Sequence, residues 1–169
     1  LLPETVLALA DHPNIVGIKE ASGNISQIAE LASLCKENGI GVAIDTAGCV
    51  PFGSFERVLP YADLFLYDLK AIDPDLHKCG TGRENRLILE NLDRLISTGK
   101  KITVRVPVIP TVNDSESEIK SIADFLRANG NPGKTEFLKY HAMGEHKYEA
   151  LGKKPTAFTV PKKEKMELL

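Results

Sequence analysis

Five apolar runs in this 169-residue sequence carry side chains near their ends that could hold charge or move a proton. Lys19-Glu20 lies in IVGIKEA (15–21), Asp45-Thr46 closes GVAIDT (41–46), and Asp68-Leu69-Lys70 closes LFLYDLK (64–70). Arg105 sits inside KITVRVPVI (101–109), and His141 closes KTEFLKYH (134–141). Strand alternation puts Lys19 on one face with Ile15 and Gly17, and the glycine leaves space beside it. Enclosed in an apolar pocket, that amine would lose its charge and become a nucleophile toward carbonyls. Left at a strand end, it is a lysine reaching for solvent. Asp68 and Lys70 share a face, and Asp45 ends the preceding run. Two neighbouring carboxylates need a cation or a proton between them. With Thr46 they could hold a monovalent or divalent cation, or position a zwitterionic ligand. The alternative is a structural ion pair from Lys70 to Asp45 or Asp68. Arg105, in so apolar a run, must be paired internally or bind a ligand carboxylate or phosphate. His141 follows Phe137, Leu138 and Tyr140, and is either structural or a member of the same constellation.

The elements that must position these groups are legible from periodicity. Val6 to Ala10 reads as a short helix, stopped by Asp11-His12-Pro13. Asn24 to Asn38 reads as a helix with Ile25, Ile28, Ala29, Ala32 and Cys35 on one stripe, an Asn24–Gln27 cap and a Gly39 stop. A short helix is expected near Phe55 to Leu59. A longer one spans Arg83 to Ser97, with Leu87, Ile88, Asn91, Leu92 and Leu95 on its inner stripe. Ser115 to Arg127 completes the set, with Ser115 and Glu118 as a capping box, and a last helix begins near Lys162. The runs 15–21, 41–46, 64–70, 101–109 and 134–141 read as strands. Strands that alternate with helices, without two-residue hairpin signals, form right-handed βαβ units. The fold class is therefore α/β, with about five mostly parallel strands and intervening helices. Each unit takes about 30 residues and a full eight-unit barrel about 250, so the chain supplies a partial (βα) TIM-like barrel or an open doubly wound sheet. A partial barrel leaves raw edges, which favour self-association or another covering segment.

Composition excludes several classes. Twenty-one basic against 23 acidic residues give a formal charge of −2, without the basic surplus of a nucleic-acid binder. No apolar run approaches the roughly 18–20 residues of a membrane span, and no signal segment opens the chain. Three cysteines, at 35, 49 and 79, are too few and too odd in number for a disulfide framework, which implies a reducing cytoplasm. Their wide spacing also resembles no zinc or iron–sulfur motif. Glycine-rich phosphate loops and a serine elbow are absent. The chain opens without methionine and stops inside an apparent helix, as though cut at both ends.

From about Glu30 onward, five segments occur in order: LCKENGIGVAIDTAG (34–48), ADLFLYDLKAIDPDLHKCGTG (62–82), ENRLILENL (84–92), ITVRVPVIPTVND (102–114) and KYHAMGEHKYEALG (139–152). Together they resemble the C-terminal half of the radical S-adenosylmethionine (SAM) activating enzymes of glycyl-radical enzymes, the pyruvate formate-lyase activating enzyme-like family. The resemblance implies that Asp45, Thr46, Asp68 and Lys70 lie at the SAM and monovalent-cation site. It implies that the Leu66 carbonyl joins the cation, that Arg105 and His141 stand near SAM, and that the partner is a glycyl-radical enzyme. Lys139 departs from the proline common before Tyr-His. The larger departure is the absence of the Cys-x3-Cys-x2-Cys motif for a 4Fe–4S cluster and of the Gly-Gly-Glu-Pro segment that grips SAM.

Residues 1 to about 30, LLPETVLALADHPNIVGIKEASGNISQIAEL in context, resemble the Schiff-base segment of the dihydrodipicolinate synthase and N-acetylneuraminate lyase family. That resemblance implies that Lys19 descends from a catalytic lysine. That family's relay tyrosine and Thr-Thr pair have no counterpart here. The expectation is thus a chimera or fragment: a βα unit of aldolase-barrel type (1–30) joined to an activase-like partial barrel (31–169) in one structural domain. Its leading function is an incomplete activase module, inactive alone. The rival functions are a Schiff-base lyase acting through Lys19 on pyruvate and a non-catalytic scaffold.

Overall fold

Leu2 to Ala10 opens the chain with a proline at the first helical turn, where its missing N–H costs nothing. The resulting helix α1 (Pro3–Ala10) buries Val6. In the computed structural model, residues 1–130, 132–142, 147, 150–154 and 158–169 are described. After α1 come β1 (Gly17–Glu20), α2 (Ile25–Glu37), β2 (Gly41–Thr46), α3 (Gly53–Val58) and β3 (Leu64–Asp68). Then follow α4 (Pro74–Thr81), α5 (Arg86–Ser97), β4 (Ile102–Val108), α6 (Glu116–Ala128), β5 (Gly133–Lys139) and α7 (Lys163–Glu167). The strands form one sheet in the order β1-β2-β3-β4-β5, every pair parallel. Sequential order with parallel pairing is the geometry of a rolled (βα) sheet, in agreement with the sequence reading.

Alternation divides the sheet into two unlike faces. Val42, Ile44, Phe65, Tyr67, Ile102, Val104 and Val106 point to the face covered by helices and are buried. They join Leu31, Leu92 and Ile122 from the helices in one hydrophobic cluster. Val6 and Ile28, from the first thirty residues, belong to that same cluster. The proposed join near residue 31 therefore falls inside helix α2, whose Leu31 is fully buried. The other face carries Lys19, Asp45, Leu66, Asp68 and Arg105, none of them as deeply buried.

Several local expectations change. IVGIKEA is an ordered strand over only Gly17–Glu20, and Val16 is 81% exposed, because β1 is an edge strand. Helix α4 falls in a stretch where periodicity gave no helix. Its signal was punctuation: Asp73 accepts from the N–H groups of Asp75 and Leu76, Pro74 starts the helix, and Gly82 ends it in left-handed conformation. Asn24 and Ser115 cap their helices as expected, accepting from Gln27 and Glu118 N–H. The capping box at Ser115 is only half formed. Buried Glu118 turns away and accepts the backbone N–H groups of Ile72 and Asp73, tying the loop after β3 to α6. Leu87 lies at the rim of the α5 stripe, while Ile88, Asn91, Leu92 and Leu95 are buried.

Candidate functional site

The register of the strands places charged residues on a diagonal. Lys19 is paired with Ala43, Asp45 with Leu66, and Asp68 with Arg105. Lys19, Asp45 and Asp68 thus climb one two-residue step per strand, as the shear of a rolled sheet requires. Arg105 lies level with Asp68 on the neighbouring strand. To reach Asp45 it must cross β3, a span of about 10 Å between strand axes, which few side chains other than arginine can cover.

The structure brings five of these side chains into one alternating row. Lys19 Nζ donates to Asp45 Oδ2 at 2.6 Å. Arg105 Nη2 donates to Asp45 Oδ1 and to Asp68 Oδ1, the latter at 2.7 Å, while Arg105 Nε donates to Asp68 Oδ1 at 3.0 Å. Lys70 Nζ pairs with Asp68 Oδ2 at 3.3 Å. The Arg105 guanidinium thus stands between the two carboxylates. Arg105 takes the internal-partner alternative, and Lys70 forms the ion pair to Asp68. The row carries three positive and two negative charges, and its centre is sheltered: side-chain exposure is 14% for Asp45 and 17% for Arg105, against 57% for Lys19.

Burial pushes the Asp45 carboxyl up, but the Lys19 hydrogen bond and the Arg105 charge outweigh it, and the group lies below the ordinary carboxylate range. Burial likewise works against the Arg105 guanidinium, and Asp68 and Asp45 together hold it above its usual value. Lys19 stands exposed and ion-paired, not in the apolar enclosure that would favour a neutral amine. Thr46 Oγ1 accepts the Gly48 N–H at 3.0 Å, so it shapes the loop after β2. Leu66 sits between Asp45 and Thr103 on the open face. His141 is exposed, two residues past the end of β5. Because Arg105 pairs with Glu136, His141 lies five residues beyond the level of the row, and the structure does not bring it into the row. The 139–152 motif falls partly outside the described residues, at 143–146, 148 and 149.

Sequence reasoning missed the buried amides that hold the site's loops. Asn113 Nδ2 donates to the carbonyls of Lys70 (2.6 Å) and Pro107 (2.8 Å), and Asn113 Oδ1 accepts the Ile109 N–H. This fixes the backbone at Lys70. Asn91 Nδ2 donates to the Gly48 and Val50 carbonyls at 2.7 Å each, pinning the loop after Asp45-Thr46 to α5. Tyr67 completes that anchor by donating to the Ile88 carbonyl at 2.7 Å. The available signal was an asparagine on an otherwise apolar helical stripe: a buried amide must bond something. Beside this loop lies a cavity of about 310 Å³, lined by Ile25, Ile28, Val50 and Phe55 with Thr46 and Ser54.

Residues 1–42 match the Dihydrodipicolinate synthetase family. The chain is 42% identical over 144 residues to the trans-4-hydroxy-L-proline dehydratase activating enzyme of Clostridioides difficile, covering 83% of this chain and 47% of that protein. A domain of pyruvate-formate lyase-activating enzyme from Bacteroides vulgatus ATCC 8482 superposes with a TM-score of 0.72 at 25% identity, over 90% of this chain and 89% of that one. A radical SAM methyltransferase from Sphaerobacter thermophilus superposes with a TM-score of 0.71 at 20% identity, over 98% of this chain and 51% of that one, which is a likeness of fold. The chain spans about half the length of the curated relatives it matches. Over most of its length, then, this chain is homologous to the activating enzymes of glycyl-radical enzymes, and its five-stranded parallel sheet is the partial barrel of the radical SAM fold.

Proposed function

We propose that the chain is the SAM-binding end of an activating enzyme whose partner is a glycyl-radical enzyme. The observation that carries this reading is the alternating row of charges drawn from four adjacent strands onto the open face of the sheet. Such a row suits a zwitterion: SAM offers an ammonium and a sulfonium to carboxylates, and a carboxylate to Arg105 or Lys70. In this reading Asp45 and Asp68 receive the cationic groups or a monovalent cation, with Thr46 and the Leu66 carbonyl alongside. Arg105 and His141 orient SAM, and Lys70 balances Asp68.

SAM supplies, in activating enzymes, the means of removing a hydrogen atom from a glycine of the partner. That chemistry needs an electron from a 4Fe–4S cluster, and the residues of this chain do not fit one. Cys35 is buried in α2, while Cys49, in the loop after β2, and Cys79, on α4, are exposed. Among the described residues no group of three or more His, Cys, Asp or Glu side chains could hold a metal ion. The chain's own contribution is therefore binding and orientation. The match of residues 1–42 to an aldolase family supports a mixed ancestry, with β1 and its lysine taken from a second barrel type.

Calorimetry of this chain with SAM in potassium buffer tests the reading. Saturable binding is expected for the wild type, weakened about tenfold in Asp68→Ala, the scale of a hydrogen bond to a charged group. A wild type that takes up no SAM, or an Asp68→Ala chain that binds equally well, would sink it.

A further inference from the structure

Every oxygen of the two central carboxylates already faces a cation of this chain. Asp45 Oδ1 is held by Arg105 and Oδ2 by Lys19; Asp68 Oδ1 is held by Arg105 and Oδ2 by Lys70. A cationic ligand can reach a carboxylate oxygen here only by displacing one of these groups. Arg105 is the least displaceable, since it makes three hydrogen bonds and is sheltered from water. Lys70 is one-third exposed and its backbone is fixed by Asn113. Lys19 is the most exposed, makes a single ion pair, and hangs from a four-residue edge strand.

We infer that Lys19 is a built-in counter-ion that occupies the Asp45 oxygen a cationic ligand would need, and so sets how strongly this site takes cations. The inference rests on the site being a ligand site, as proposed above. With Lys19 present the row has a net charge of +1; without it the row is neutral and Asp45 Oδ2 is open. The ligand class follows from the acceptor: a primary ammonium or a sulfonium, approaching from the open face. Lys19 then acts as a specificity-determining residue through Asp45 and not as an amine nucleophile.

The test compares the wild type, Lys19→Met and Lys19→Arg. Methylammonium chloride is titrated at constant ionic strength, and the carbon-13 carboxyl shift of Asp45 is read by NMR. Lys19→Met should bind methylammonium about fivefold more tightly than the wild type, the upper range for an exposed ion pair that no longer competes. Lys19→Arg should behave as the wild type, because the charge is retained. Equal affinity in wild type and Lys19→Met, or no saturable shift in either, overturns the inference. Because Lys19 is exposed, Lys19→Met should fold as the wild type does, and a thermal melt of Lys19→Met checks that. A parallel titration with SAM separates the two claims. Methylammonium discrimination without SAM binding keeps the role of Lys19 and removes the SAM reading. SAM binding without methylammonium discrimination does the reverse.

Discussion

Arg105→Met removes the one cation that both central aspartates share. Three hydrogen bonds from a guanidinium disappear, and Asp45 and Asp68 keep only Lys19 and Lys70. Breaking a fully buried pair costs about 3–5 kcal/mol, and an exposed pair is worth about 0–1. With side-chain exposures of 14%, 17% and 24% for Asp45, Arg105 and Asp68, this site lies between those limits, near about 2 kcal/mol. For a chain of this size that is a fall in melting temperature of about 4–8 °C. The pH dependence gives the sharper signature. The Asp45 carboxyl is lower in the folded than in the unfolded state, so its contribution is fully present above the unfolded value, about 3.9, and is lost as pH falls through the folded one. Arg105 supplies part of that lowering, so the variant's deficit should be complete at pH 7 and should shrink below about pH 4. Urea unfolding followed by far-ultraviolet circular dichroism at pH 7, 5 and 3 measures it. A deficit unchanged between pH 7 and 3, or none at pH 7, refutes the reasoning.

Gly48→Ala should destabilise by about 3–5 kcal/mol in the same unfolding assay, from strain and overpacking together. A Cβ there would collide with Tyr67 Oη, and the backbone φ is +73°. Thr111 adopts φ +68°, which is strained for a β-branched residue. Thr111→Gly should therefore stabilise by about 0.5–1 kcal/mol, and a lower melting temperature would show that the Thr111 side chain contributes more than its backbone costs. Pyruvate with borohydride should leave the intact mass of the chain unchanged, because Lys19 is exposed and paired with Asp45. An adduct at Lys19 would bring the lyase reading forward.

What could be read from sequence followed the strength of each local signal. GVAIDT coincides with β2 residue for residue, since strict alternation and flanking glycine leave one register that buries Val42 and Ile44. IVGIKEA is equally apolar, yet only Gly17–Glu20 is strand, because an edge position is a property of the sheet and not of the segment. Helix α4 was hidden because its apolar stripe is thin; His77 is its buried residue, and capping at Asp73 and Gly82 defines its ends. Glu118 fits a capping-box pattern but bonds a loop distant in sequence, a choice that only tertiary packing makes. Asp45 and Asp68 were legible as a pair because each lies at the end of an apolar run, and Arg105 because it is a charge inside one. That the Arg105 guanidinium reaches both carboxylates depended on the stagger between strands, which no local pattern records.

That stagger also explains why the row contains these residue types. Asp45 and Arg105 lie on strands separated by β3, with Leu66 between them on the open face. On a flat sheet their backbones would be about 10 Å apart and level pairing would set Asp45 opposite Thr103 across Leu66. A lysine at 105 could serve one carboxylate as a point charge, whereas the planar guanidinium reaches both and fixes their orientation through Asp68. The carboxylates are thereby pre-positioned by the fold, and the lysines at either end of the row are its more exposed members. In the proposed ligand site, exchanging an end lysine for a ligand cation would leave Asp45 and Asp68 still paired with Arg105.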